Sequence, residues 1–371
     1  MADIDNVPQG DMPPAVESKN LYIAPEPPKK KRKVPLTIGI TVAVVLVAAL
    51  AVGLVWRMNR KTKAHVDIVI PVGITFIEEG AYKYRSDITS VVIPDSVNSI
   101  GDEAFQYCSG LTSIVIPDSV TNIGNNVFYG TGLTSIVIPD SVDTIGHHAF
   151  YGCSSLTSIT IPFIGSSKDE TLNIPFGYFF GAKDSDENNS FVPSSLKTVV
   201  IKGGAIIDEN AFSGCSSLTS IIISDSVTRI GGNAFSGCSS LNSINLPDSV
   251  TEIGFSAFKN CVGLTSVIIP NNITSIGSSA FGGCTGLNSI IIPQSMTIID
   301  DYVFYWCDGL SSIVIPDSII SIGDWAFYGC TNLTDIYYTG TESEWEAITK
   351  GTDWDAYTGN YTIHYNYTPE P

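Results

Sequence analysis

Eight cysteines recur at one fixed place. Cys108, Cys153, Cys215, Cys238, Cys261, Cys284, Cys307 and Cys330 each stand three residues after a phenylalanine. An even count in an exported domain admits a disulfide framework. Units stacked about 5 Å apart would also bring neighbouring cysteines within the Cα separation of a bridge. Against this, equivalent side chains in stacked units point in parallel, which is poor bridge geometry. Cys108 and Cys153 also lack a cysteine in the adjoining unit, because Thr131 stands between them and a stretched unit follows Cys153. Cysteine is an ordinary small buried residue. Buried free thiols are therefore the favoured reading, bridges the second, and a metal site the weakest, since no C-x-x-C occurs.

Other reactive residue types are less organised. His147 and His148 are adjacent on a loop without partners at ligand spacing, and read as a solvated pair. The stretch DSDENN (184–189) opens like a calcium loop. Asn189 stands where that loop needs glycine, however, and Ser195 where it needs a closing glutamate. Asp95, Asp118, Asp140, Asp248 and Asp317 form a column that caps turns and makes one rim acidic. No Gly-rich phosphate loop or Ser-His-Asp order stands out. Catalysis needs a few unlike groups converging on a pocket, whereas this chain repeats like groups along a line. The expectation is a non-enzyme without metal or cofactor.

The element that positions all these residues is a repeat. LTSIVIPDSV occupies 111–120 and again 133–142. Aligned on the proline after each apolar triplet, the units fall at Pro71, Pro94, Pro117, Pro139, Pro162, Lys202, Ser224, Pro247, Pro270, Pro293 and Pro316. That is eleven units, most of 23 residues, with a stretched one at 162–201. The consensus L-x-S-I-x-I-P-D-S-V-x-x-I-G-x-x-A-F-x-x-C carries the leucine-rich pattern. Each unit supplies one short strand, with Ile114 and Ile116 on one face and Ser113 and Val115 on the other. Proline ends the strand, because it cannot donate to a ladder. The chain then returns through an irregular or helical segment whose phenylalanine fills the core. A single unit cannot bury its apolar side alone, so the fold class is a solenoid with a parallel ladder. Serine holds the ninth position in Ser96, Ser119, Ser141, Ser226, Ser249, Ser295 and Ser318, and Asn272 replaces it once. Both types can hydrogen-bond turn backbone, as a stacked polar column requires.

These units resemble the BspA-type leucine-rich repeats of microbial surface proteins, over roughly residues 66–368. The stretched unit looks like a long variant repeat of that family, and YYTGTESEWEAITKGTDWDAYTGNYTIHYNY looks like its C-terminal cap. Trp345 and Ile348 are expected to cover the last turn, which would otherwise expose an unpaired edge. The resemblance implies adhesion to host proteins or to other cells.

Before the repeat the composition changes. Residues 1–33 form a Pro-rich basic tail, 34–56 an uncharged run, and 57–65 a linker; the solenoid follows at 66–338 and the cap at 339–371. Twenty-three residues at ~1.5 Å each reach roughly 34 Å, enough for a transmembrane helix. Five basic residues precede this run (29–33) and four follow it (Arg57, Arg60, Lys61, Lys63), so charge barely orients it. The short tail favours a single-pass arrangement with the tail inside and the solenoid outside. PKKKRKV (28–34) has the form of a nuclear localisation signal, but beside the span it reads as a cytoplasmic charge cluster. Residues 1–63 hold ten Lys/Arg against five Asp/Glu, and the remainder nine against 32. So acidic a body repels nucleic acid. Sequons at Asn188, Asn272, Asn332, Asn360 and Asn366 matter only if the solenoid enters a eukaryotic secretory lumen.

The outward strand positions are the candidate binding face. One row reads Val69, Val92, Val115, Val137, Thr160, Val200, Ile222, Asn245, Ile268, Ile291, Val314 and Tyr337. Beside it run Asp67, Ser90, Ser113, Ser135, Ser158, Thr198, Ser220, Ser243, Ser266, Ser289, Ser312 and Asp335. A long apolar stripe edged by hydroxyls calls for a partner, although β-branched residues also suit any parallel sheet. The expected function is a membrane-anchored surface protein that binds a protein or glycan ligand on another cell or matrix. The alternatives are a coat protein that self-associates along the stripe, and an intracellular scaffold at a membrane.

Overall fold

A strand that alternates buried isoleucine with exposed serine or valine can satisfy its backbone only from a neighbour above and below. In the computed structural model, which describes residues 65–168 and 174–368, most successive turns do so. Thirteen rungs succeed one another, from Val66–Val69 to Thr362–His364, all pairing in parallel where they pair. The proposed tail and span at 1–56 lie outside the described residues. Among the described residues no helix is long and apolar enough to cross a membrane.

The return segment differs from expectation. Instead of an irregular or helical path, it lays down a second parallel ladder of two-residue strands such as Ile206–Ile207, Arg229–Ile230, Glu252–Ile253 and Ser275–Ile276. One buried isoleucine per turn anchors this side. The glycine after it donates its N–H to the isoleucine carbonyl one turn earlier, at 2.8 Å from Gly254 to Ile230. A Cβ on Gly254 would sit 2.6 Å from the Gly232 nitrogen, so the close backbone approach requires glycine there. The third side consists of tandem turns. There each core phenylalanine donates its N–H to a carbonyl of the next turn, most often an alanine's, as Phe235 does to Ala257 at 2.8 Å. Each turn thus has three sides whose backbone groups are satisfied by adjacent turns.

Inside, the phenylalanines stack. Phe212, Phe235, Phe258, Phe281, Phe304 and Phe327 follow at centroid spacings of 5.3–5.8 Å with nearly parallel rings. The thiols lie beside them, all eight free and buried. Their S–H groups reach carbonyls one turn back, as Cys261 does to Phe235 and Cys284 to Phe258, both at 3.1 Å, with Cys215 the exception. Seven of the eight make such a bond, and it accounts for a small polarisable residue at this place better than packing alone. Burial pushes the thiol pKa up, to about 11 at Cys153 and about 12 at Cys261 and Cys330.

The ninth-position column also behaves as expected. Ser119 donates to the Val97 carbonyl at 2.6 Å, Ser249 to Val227 at 2.6 Å and Ser318 to Met296 at 2.6 Å. Asn272 does the same to Asp248 through its amide at 2.9 Å.

The stretched unit leaves the strand side intact. Ser158–Ile161 pairs directly with Thr198–Ile201, so the additional residues loop out elsewhere. Ser167 meets Thr144 in an isolated antiparallel bridge on the second side. Phe176–Phe180 occupies the third side, where Phe176 packs at a tilt against Phe212 at 4.8 Å and takes over the phenylalanine column. Asn188 is fully buried there, receiving the Gly177 N–H and donating to the Ala211 and Ser213 carbonyls. It is no glycosylation acceptor in the folded chain.

At the other end Trp345 and Ile348 are buried, as expected. Trp345 lies on the six-residue helix Glu342–Ala347, which opens with a capping box between Thr341 and Glu344, and packs edge-on against Tyr338 at 5.2 Å. The cap does more than cover: Thr362–His364 pairs with Asp335–Tyr338 as a thirteenth rung.

Candidate binding face

The outward row expected from the sequence lies in register. Val69 pairs with Val92, and Val92 bridges Val115. Further on, Val137, Thr160, Val200, Ile222, Asn245 and Ile268 are Cα partners in succession, as are Ile291, Val314, Tyr337 and His364. The side chains are open to solvent: Val115 is 78% exposed and Ile268 71%, with Val92, Val137, Ile222 and Ile291 each above half. Val200, Val314 and Tyr337 are half-buried. The stripe is not uniform. Thr160 and Asn245 divide it into runs of four, two and four residues, the last ending on Tyr337.

The hydroxyl row runs beside it in the same register, with Ser135 opposite Ser158 and Ser220 opposite both Thr198 and Ser243. Ser113, Ser135, Ser243, Ser266 and Ser289 are exposed, and Ser220 half-buried. The row begins and ends on carboxylates. Asp67 accepts from Ser90 at 2.6 Å. Asp335 contacts the His364 ring at 2.7 Å and accepts from Thr334, and these hydrogen bonds, His364 first, hold its carboxyl below the usual range. Tyr337 closes the row by stacking on His364, with centroids 4.7 Å apart.

The remaining sequence candidates do not converge. His147 and His148 lie ring against ring at 3.8 Å, beside Tyr178. Burial and the neighbouring His147 lower the His148 pKa. Asp184 caps a short turn of helix by accepting from Asp186 and Glu187. Among the described residues no group of three or more His, Cys, Asp or Glu is placed to hold a metal ion.

Aromatic residues on the turn side were not singled out from the sequence. Tyr84, Tyr107, Tyr129 and Tyr151 pack in succession near the first turns, the first pair stacked, the second edge-on and the third tilted. Near the last turns Tyr305 stacks on Tyr328, and Tyr302 on Trp325. The sequence does hold a signal for them: they fill the variable places of I-G-x-x-A-F-x-x-C, and FYWC (304–307) puts tryptophan where FSGC and FGGC put glycine.

Comparison with known proteins places these observations. The BspA-type leucine rich repeat region matches the chain in six copies, over residues 75–171, 186–307 and 251–347. Among solved structures, a leucine-rich repeat protein from Bacteroides ovatus is 25% identical, covering 81% of this chain and 83% of its own, at a TM-score of 0.49. A leucine rich cell surface protein from Faecalibacterium prausnitzii is 28% identical over 76% of this chain and 82% of its own, at a TM-score of 0.37. The leucine-rich repeat protein of T. pallidum is 30% identical over 42% of this chain and 72% of its own, at 0.38. No curated protein matches the sequence.

Proposed function

Because the chain belongs to the BspA-type leucine-rich repeat family, we propose that it is a membrane-anchored surface protein whose strand side binds a protein ligand on another cell or matrix. The observation that carries this reading is the row of exposed Val and Ile, in register over successive turns and edged by hydroxyls. Burying one such side chain is worth about 1.5–3 kcal/mol, so a partner lying along several rungs gains adequate affinity without a pocket. The hydroxyls set its orientation, and the acidic body excludes polyanions and favours neutral or basic partners. The uncharged run 34–56 supplies the anchor in this reading, with the solenoid outside.

The test uses cells expressing the full chain with a C-terminal tag. External protease is expected to remove the tag from intact cells. Adherence to an immobilised extracellular-matrix extract is expected to fall by about tenfold or more when Ile268→Asp and Ile291→Asp are combined, since both side chains lie on the stripe. A tag cleaved only after lysis would sink surface display and leave the membrane scaffold. Adherence untouched by the double substitution would dismiss the strand side. Clumping of expressing cells with one another, without adherence to matrix, would make the protein a coat.

A further inference from the structure

The turn side carries its own groove, near the far end of the solenoid. It is an opening of about 560 Å³, floored by the turn that holds Gly282 and Gly283. One wall comes from the preceding turn through Asn260, and the other from the following turn through Tyr302, Tyr305 and Trp306. Because Gly283 has no side chain, the gap between the walls spans two rung spacings, roughly 10 Å. Trp306 is 45% exposed. Its indole packs against Gly329 on one side, where an added Cβ would meet the ring at 3.0 Å, and lines the groove on the other.

The backbone supplies an independent observation. Two places in each turn take a left-handed conformation, two residues before and two residues after the core phenylalanine. At the second place Gly130, Gly152, Gly214, Gly237, Gly283 and Gly329 use glycine and Asn260 asparagine, whereas Tyr84, Tyr107 and Trp306 adopt the same conformation at φ +65°, +60° and +55°. At the first place Asn126, Asn210, Asn233, Ser256 and Ser279 are small, whereas Glu103, His148, Tyr302 and Trp325 adopt it at φ +59°, +60°, +58° and +51°. Bulky residues there are strained. Of these, Tyr302 and Trp306 line this groove, and Trp325 stacks on Tyr302. A repeat with glycine or asparagine available at those places has no conformational reason for them, and strain of this kind collects where a surface is used.

We propose that this groove binds a neutral saccharide. Tyrosine and indole faces offer an apolar platform to the C–H face of a pyranose ring, and the Asn260 amide and Ser279 hydroxyl offer hydrogen-bond partners to its edge. No carboxylate lines the groove, although the chain beyond residue 63 carries 32 Asp/Glu against nine Lys/Arg. The volume suits two or three sugar rings. Stacked bases would fit the aromatic platform equally, but one lysine, Lys259, cannot offset their phosphates.

The full chain, in a detergent without sugar headgroups, is titrated calorimetrically with cellohexaose, maltohexaose, mannohexaose and hexa-N-acetylchitohexaose. At least one is expected to bind saturably with Kd below about 1 mM. Trp306→Gly restores the glycine that other turns use, so it preserves the fold, and it is expected to weaken that binding by about tenfold or more. Ile268→Asp, on the strand side, is expected to leave it unchanged, which separates this site from the adhesive face. Absence of saturable heat from all four sugars up to about 10 mM, or affinity retained in Trp306→Gly, would overturn the proposal.

Discussion

The strand side and the turn side of this solenoid solve the same stacking problem in different ways. On the strand side, adjacent rungs need only extended backbone, and β-branched residues adopt it without strain. The outward positions are consequently free to vary, and they carry exposed valine, isoleucine and serine. On the turn side the chain must reverse within a few residues, which costs two left-handed residues per turn, such as Asn233 and Gly237 or Ser256 and Asn260. The same side buries the phenylalanine and cysteine columns. Stability is therefore concentrated behind the turns, and the strand side presents surface at little structural cost. A family of such proteins can change its strand-side rows without refolding; changes on the turn side are constrained by both core and backbone.

The largest difference between the two sides is expected in their response to truncation. Phe235 is fully buried between Phe212 and Phe258, at 5.5 and 5.3 Å. Phe235→Ala should cost about 3–5 kcal/mol, through lost burial and the cavity left between two rings. Ile222→Ala, in the same turn on the strand side and 53% exposed, should cost less than about 1 kcal/mol. Urea midpoints of the two variants against the parent chain measure this. Comparable losses would mean that the strand-side row is structural, and would weaken the case for binding there.

A second difference concerns pH. In the folded chain burial raises Cys261 and Cys330 from 9.0 to about 12. Their proton is thus held more tightly folded than unfolded. The stabilisation is fully present below about pH 9 and is lost as pH rises through the folded pKa, at up to about 1.4 kcal/mol per pH unit for each thiol. The strand side has no titrating group in its apolar row below Tyr337. The melting temperature should fall steeply between about pH 9 and 11, and Cys261→Ala should flatten that fall while lowering the plateau below pH 8. An identical slope in the variant would show that the thiols are not responsible. The same titration bears on redox behaviour, since a protonated, buried thiol is a poor nucleophile at neutral pH.

These contrasts explain what was legible in the sequence. Alternation over five residues is enough to assign a strand, so the rows through Val115 and Ser113 could be placed by counting. The serine ladder was legible because a side chain with one donor, repeated every turn, has one obvious acceptor in the turn below. The second ladder was not: its strands have two residues, too short to show a period of two, and Ile-Gly reads equally well as a bend. The thirteenth rung was hidden because YTIHYNY lacks the proline and the Leu-x-x-Ile spacing used to count units. The burial of Asn188 was not legible because the stretched unit leaves the repeat register, and with it any neighbour that would say which way a residue points. The aromatic groove was hidden for another reason. Left-handed backbone is invisible in a consensus that writes those places as x, and only the φ angles show that Tyr302 and Trp306 stand where small residues belong.

The smallest effect tests that last point most directly. Ser256 and Trp306 both hold left-handed backbone, at φ +51° and +55°. Replacing either with glycine relieves strain worth about 1 kcal/mol, partly offset by the greater freedom of glycine in the unfolded chain. Ser256→Gly should therefore raise stability by a few tenths of a kcal/mol to about 1 kcal/mol. Trp306→Gly relieves the same strain but forfeits the contacts with Tyr328 and Gly329. An exposed edge-on aromatic pair contributes about 0.5–1 kcal/mol, so the two changes should nearly cancel. If Trp306→Gly instead lowers the urea midpoint as much as a core truncation does, the tryptophan is there to hold the last turns together. If the midpoint is unmoved, the fold gains nothing from keeping a strained tryptophan at that place, and its purpose lies in what the exposed ring meets.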